Sequence, residues 1–268
     1  MQAAGVRVRS RGHVPLPVIA GIGVAWLYAF LAWAGGYAEL LDHSRLFGHG
    51  ALGEHHAAAS PPAWLLALLV VASWQVMTAA MMLPSSVPMV RVFGAVSRRQ
   101  PAPGTAMAAF LGGYAVVWTG FAAAALAGDA LLHRLVAEVP ALNQRPWVIT
   151  GTVLALAGAF QFTALKDKCL DACRHPAAFL LPRYRRGTRG AFALGRSHGW
   201  FCLGCCWALM LLMCIAGFAD LRFMAALGAL MAYEKIGRHG EVVARLAGVA
   251  LLVAGAVVML RPVAPGLG

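Results

Sequence analysis

Residues 63–83 read AWLLALLVVASWQVMTAAMML and contain no charged side chain. A helix of about 20 apolar residues is long enough to cross the hydrocarbon core of a bilayer. In lipid the backbone amides must find hydrogen-bond partners within their own segment, so a run of this kind is expected to be helical. This stretch therefore predicts a transmembrane helix and an all-α fold.

Similar apolar stretches recur along the rest of the chain and predict a polytopic helical bundle of about seven spans. The predicted spans cover residues 14–34, 63–83, 105–128, 147–165, 199–218, 221–233 and 242–260. The sixth is short, with Arg222 and Glu234 at its ends, so the alternative is half of a hairpin with the fifth. The composition agrees, because only 12% of the residues are charged, against about 25% in soluble proteins.

The basic residues predict the orientation. With seven spans and a cytoplasmic N-terminus, 17 of the 22 lysines and arginines fall in cytoplasmic segments, as the positive-inside rule requires. The largest group lies in residues 166–198, which we interpret as a cytoplasmic loop with a partly amphipathic piece on the membrane surface. We expect a multi-pass protein of the bacterial inner (plasma) membrane. The net charge is +12, but the basic residues lie between the apolar runs and not along one folded face, so nucleic acid is not an expected partner.

Two parts of the chain are distinguished. Residues 1–62 hold an anchor helix and an outer loop, and residues 63–268 form a transmembrane helical domain, for which the cysteines described next predict metal binding. The first span is interpreted as a retained anchor because its apolar run exceeds a typical signal-peptide core; its cleavage is left open. The outer loop contains His43, His49, His55 and His56, and imidazole suits capture of Zn(II) or Cu(II).

The cysteines indicate the chemistry. None precedes residue 169, and all six follow within residues 169–214. Residues four apart share a helix face, so Cys202 and Cys206 form a stripe that continues to Met210. Cys169 and Cys173 have the same spacing on the preceding segment. Structural disulfides are not expected at the cytoplasmic end of the spans, because the cytoplasm is reducing.

Methionines and one carboxylate are predicted at the same leaflet. The second span ends with Met81 and Met82, followed by Pro84 and Pro88, which break or kink a helix and free backbone carbonyls. Glu234 is a ligand candidate at a span end, with an interfacial pair with Lys235 as the competing interpretation. The predicted metal ligands are Cys169, Cys173, Cys202, Cys205, Cys206, Met210, Met81, Met82 and Glu234.

Sulfur ligands select soft ions. Cu(I) is favoured because it accepts two or three sulfur ligands, including thioether, and we expect the stripe to bind it more tightly than Zn(II). Zn(II) remains an alternative and requires four ligands in a closed tetrahedron. Simple apolar packing of the cysteines and methionines is the competing explanation.

These residues also resemble a known family, the predicted metal-binding membrane proteins called DUF2182, over residues 64–260. The resemblance rests on Trp74, Met77, Ala80-Met81-Met82 and Pro84, on Leu165-Lys166 with Cys169-Leu170 and Cys173-Arg174, on Gly199 with Cys202-Leu203-Gly204-Cys205-Cys206-Trp207 and Leu209-Met210, and on Glu234-Lys235. The chain departs from the family pattern at Phe160 and Ala164. The resemblance implies metal binding and supplies neither a reaction nor an ion.

The sequence thus favours metal handling over catalysis. It contains no nucleotide-binding loop, nucleophile elbow or HExxH motif. The alternative is a thiol-redox or assembly factor that uses a dithiol among Cys202, Cys205 and Cys206. The expected partners are the lipid bilayer, the metal ion and a metallochaperone or other membrane protein. The ion, the direction of any transfer and the oligomeric state are left open.

Overall fold

The computed structural model describes residues 14–35, 63–216 and 220–260, and all of the regular structure in these ranges is helical. The helices are α1 (Leu16–Ala34), α2 (Ala63–Ser97), α3 (Pro103–Glu138), α4 (Pro140–Asn143), α5 (Pro146–Phe160), α6 (Ala164–Arg174), α7 (Pro176–Leu180), α8 (Thr188–Ala216), α9 (Leu221–Ile236) and α10 (Gly240–Met259), with a 3₁₀ turn at Leu181–Arg183. The all-α prediction is confirmed for these ranges. The predicted histidine loop lies outside the described residues.

Several helices have the length and apolarity that a membrane span needs. Within the described ranges these are α1, residues Val71–Ser97 of α2, α3 and α10, and a fifth span results if α5 and α6 count as one segment bent by 62°. The predicted spans on α8 and α9 are not among them, and α9 has only 16 residues. Four or five spanning helices are consistent with a membrane protein. The total of seven spans and the orientation stay predictions.

The interpretation of residues 166–198 as a loop is wrong. They form most of α6, then α7, the 3₁₀ turn and the first turns of α8. Thr163 caps α6 by accepting a hydrogen bond from the Lys166 amide at 3.3 Å. One face of α6 is buried, with Cys169 and Cys173 on it. The helix folds against the core because its buried residues recur at helical spacing, a pattern that the high local charge obscured.

α2 remains one helix through Pro84 and Pro88, so the prolines do not break it. A proline removes the amide that would bond the carbonyl four residues earlier, which for Pro84 is the carbonyl of Ala80. That oxygen accepts a hydrogen bond from Nε1 of Trp26 on α1 at 3.0 Å. The prediction that protein must cover a freed carbonyl at membrane depth agrees with this contact.

Glycines let neighbouring helices approach closely. A Cβ atom added at Gly195 of α8 would overlap the carbonyl oxygen of Phe110 on α3. Between α5 and α10, a Cβ atom at Gly158 would lie 2.9 Å from the carbonyl oxygen of Gly248. Small residues at contact points are the usual means of packing helices within membranes. The close α3–α8 contact brings Cys202 of α8 beside Tyr114 of α3.

Candidate metal centre

A sulfur-rich core lies where α2, α6, α8 and α9 meet. The five cysteines whose side chains are described, Cys169, Cys173, Cys202, Cys205 and Cys206, are free and buried. They share one core with seven methionines: Met77, Met81, Met82, Met210, Met213, Met224 and Met231. All of the cysteine and methionine residues predicted as ligands thus lie in one hydrophobic core, and its twelve sulfur-bearing residues are hereafter called the sulfur cluster. That they form a metal site stays a prediction.

On α8, three cysteines of the sulfur cluster lie on neighbouring turns of the same helix. The thiols of Cys205 and Cys206 donate to the carbonyl oxygen of Cys202, at 3.0 and 2.9 Å. The Cys206 Sγ atom also lies 3.7 Å from Sδ of Met82 on α2. Two sulfur ligands at about 2.3 Å from a shared metal would be about 3.8 Å apart at a tetrahedral angle. Cys206 and Met82 therefore have a separation that fits a common soft ion.

The α6 side covers the same cluster from another direction. The Cys169 Sγ atom packs on the backbone of α8, because a Cβ atom added at Gly204 would lie only 2.5 Å from it. The side chains of Cys173 and Cys205 interact electrostatically. These interactions bring the cysteines of α6 next to those of α8, and a single metal site formed by both pairs stays a prediction.

The two remaining methionines among the predicted ligands, Met210 and Met81, are buried in the same core. Met210 is fully buried in the same core. Met81 packs against α9, where a Cβ atom at Gly228 would be 3.6 Å from its Cγ atom. Within the described ranges, no group of three or more His, Cys, Asp or Glu side chains is already arranged to hold a metal. Binding of an ion as thiolates would remove the protons that Cys205 and Cys206 donate to the Cys202 carbonyl.

Two polar side chains that the sequence analysis did not assign to the site contact Cys202. The Lys235 Nζ atom lies 3.2 Å from the Cys202 Sγ atom and donates to Ser85 Oγ at 3.0 Å. The Tyr114 hydroxyl lies 3.1 Å from the same sulfur. The sequence indicates for Lys235 only an interfacial pair with Glu234, and Tyr114 carries no sequence signal. Cys202 is thus the thiol with a cation and a hydroxyl group beside it.

His198 lies beside the polar side chains that surround Cys202. Its Nε2 atom lies 3.3 Å from Ser86 Oγ, and its ring stacks on Tyr114 with the centroids 5.5 Å apart. Its Nδ1 atom is buried and has no hydrogen-bond partner in the described structure. His198 precedes Cys202 by four residues, so the helical spacing that identified the cysteine stripe could have included it.

Glu234 has partners other than sulfur. Its Oε2 atom lies 2.7 Å from Nζ of Lys166 on α6, and both side chains are buried. Gln161 Nε2 donates to Oε1 at 3.4 Å, and Arg174 donates to the Glu234 carbonyl at 2.6 Å. In this arrangement the carboxylate links α9 to α6. A role for it as a metal ligand stays a prediction.

Comparisons with known proteins indicate the family to which the chain belongs. No curated protein and no solved structure matches the chain. A family model, PpoB2, described as copper chaperone, matches residues 71–258. A copper-related family is consistent with the predicted metal binding, although the match does not test the DUF2182 resemblance. Because the matched region covers most of the chain, from α2 to α10, and includes every residue of the sulfur cluster, this chain belongs to the PpoB2 copper chaperone family.

Proposed function

We propose that this chain is a membrane copper chaperone that binds Cu(I) as cargo at the sulfur cluster and passes it to a partner protein. The observation that carries the proposal is the convergence of five buried thiols and the Met82 thioether from three helices. A core that only needed apolar packing would not require so many sulfur atoms in one place. The family description supports copper over other soft metals.

The donor set favours the cuprous ion. Thiolate and thioether together are typical ligands of Cu(I), whereas Zn(II) in structural sites has four ligands in a closed tetrahedron. Cys202 and Cys206 lie on one helix and cannot surround an ion alone. Met82 and Met210 are the available additional soft ligands, with Cys169, Cys173 and Cys205 as further thiols. Zn(II) at a thiolate-only site is the alternative outcome.

We also propose that the protein works in the bacterial inner membrane as a seven-span bundle. The four or five candidate spans support a membrane location. The apolar C-terminal half of α8 and the whole of α9 would complete the bundle. The partner would be a metallochaperone or a membrane protein that exchanges copper with the thiols of α6.

Anaerobic titration of the detergent-solubilised full chain with Cu(I) against a competing chelator tests the proposal. We expect Cys202→Ser/Cys206→Ser to weaken Cu(I) binding at least about 100-fold, because two of the strongest ligands are lost. Met82→Leu and Met210→Leu should each weaken it by a smaller factor. Met107→Leu is the matched control, because Met107 is buried in a separate apolar cluster. Unchanged affinity in the double cysteine variant would contradict the proposal.

A second function follows from one specific contact. Cys173 and Cys205 lie on different helices, and their side chains interact electrostatically, so a thiol-redox or assembly factor could use them as a dithiol. Mild oxidation of the protein in membranes, followed by peptide mapping, tests this function. A reversible Cys173–Cys205 disulfide in a protein with no measurable Cu(I) binding would favour it over the copper chaperone.

A further inference from the structure

Lys235 is a buried cation at the edge of the sulfur cluster. Its side chain is 5% exposed, and its ammonium group contacts Cys202 Sγ and Ser85 Oγ. Removing an ammonium from water without a compensating charge is costly. The buried ammonium of Lys235 therefore requires a negatively charged partner.

Among the described residues, no carboxylate forms an ion pair with Lys235. The adjacent Glu234 is paired with Lys166 at 2.7 Å, and Gln161 contacts its other carboxylate oxygen. The thiol in direct contact with the Lys235 ammonium is that of Cys202, at 3.2 Å. Three further cysteines, Cys205, Cys206 and Cys173, act on it electrostatically. Glu234 acts on it as well, but this carboxylate already neutralises Lys166. The sulfur cluster is thus the natural source of negative charge for this lysine.

The charge of a loaded site can be counted from its ligands. A Cu(I) ion bound by two thiolates and a neutral thioether carries a net charge of −1. One ammonium group at its edge makes the buried assembly neutral. A Zn(II) ion on the same three ligands is already neutral, so the ammonium would leave an uncompensated buried positive charge, which is unfavourable.

We propose that Lys235 is the internal counter-ion of a copper–bis-thiolate complex formed by Cys202 and Cys206, and that it selects a monovalent soft cation over a divalent one. This inference rests on the proposed function. It makes Lys235 a positioning and selectivity residue that acts through its charge, and Met82 completes the ligand set. The hydrogen bond to Ser85 is a second contact of the ammonium and supplies no charge.

The test compares Cu(I) and Zn(II) affinities of the purified full chain under anaerobic conditions. Lys235→Met and Lys235→Gln remove the charge, Lys235→Arg keeps it, and Ser85→Ala removes the hydrogen-bond partner while the charge remains. We expect the neutral variants to bind Cu(I) at least about tenfold more weakly, since a charge in contact with the site is lost. Their Zn(II) affinity should be unchanged or higher. Lys235→Arg and Ser85→Ala should keep a Cu(I)-to-Zn(II) preference close to that of the wild type.

The outcomes separate three explanations. A lysine with only a structural role would weaken both metals together when replaced, which would overturn the inference. A folded neutral variant, Met or Gln, with wild-type metal preference would also overturn it. A wild-type protein without Cu(I) binding would instead refute the proposed function itself. If Lys235→Met does not fold, the Gln variant, which can still donate to Ser85, provides the comparison.

Discussion

At the scale of single residues, the packing of the sulfur cluster depends on two neighbouring glycines as well as on its sulfur-bearing residues. Gly204 has no side chain, and this leaves the space that Cys169 Sγ fills. Gly228 faces Met81 at an ordinary contact distance of 3.6 Å. Two glycines on helices that line the same cluster therefore differ in how much room they leave.

We expect Gly204→Ala to push α6 away from α8 and weaken Cu(I) binding. Overpacking of this kind costs about 1–3 kcal/mol, so thermal unfolding in detergent should also shift to lower temperature. Gly228→Ala is the matched control and should change neither quantity by much. Equal effects of the two substitutions would show that the Cys169–Gly204 contact has no special role.

The buried ion pair between Glu234 and Lys166 leads to a second prediction. Glu234→Gln leaves the ammonium of Lys166 buried and unpaired, and breaking such a pair typically costs about 3–5 kcal/mol. We expect a large loss of stability, measured by thermal unfolding. Adding Lys166→Met removes the stranded charge and should restore much of that loss. A single variant as stable as the wild type would contradict the observed pairing.

At the scale of helices, α2 is interesting because it continues through two prolines beside the sulfur cluster. Its continuity depends partly on α1, whose Trp26 satisfies the carbonyl oxygen of Ala80. The two helices are thus joined at the turn that precedes the Met81–Met82 pair.

We expect Trp26→Phe to destabilise the protein by about 1–3 kcal/mol, the usual cost of an unsatisfied buried polar group. In a Pro84→Ala background the restored amide of residue 84 can bond the Ala80 carbonyl, so the same substitution should cost much less. Trp33→Phe on the same helix is the control, since Trp33 is 46% exposed. Thermal unfolding of the wild type and the three variants of the cycle measures this coupling, and additive effects would contradict it.

At the scale of the whole molecule, the distribution of basic residues predicts the orientation in the membrane. We expect the outer loop to face the periplasm and the segment around α7 to face the cytoplasm. Single cysteines at Ala58 and Thr188 in a cysteine-free background provide the probes, and Thr188 is exposed. An impermeant maleimide applied to intact cells should label position 58 and not position 188. The reverse pattern would overturn the orientation.

The sequence by itself determined the helical class, the apolar segments and the identity of the sulfur-bearing residues, because these follow from local composition and helical spacing. It could not determine that residues 166–198 fold into the bundle, since their charge masks the buried face of α6. It also left the partners of Glu234 and Lys235 open. Adjacent residues on a helix point in different directions, so only the packing of α9 against α2, α6 and α8 decided that Glu234 meets Lys166 while Lys235 meets Cys202.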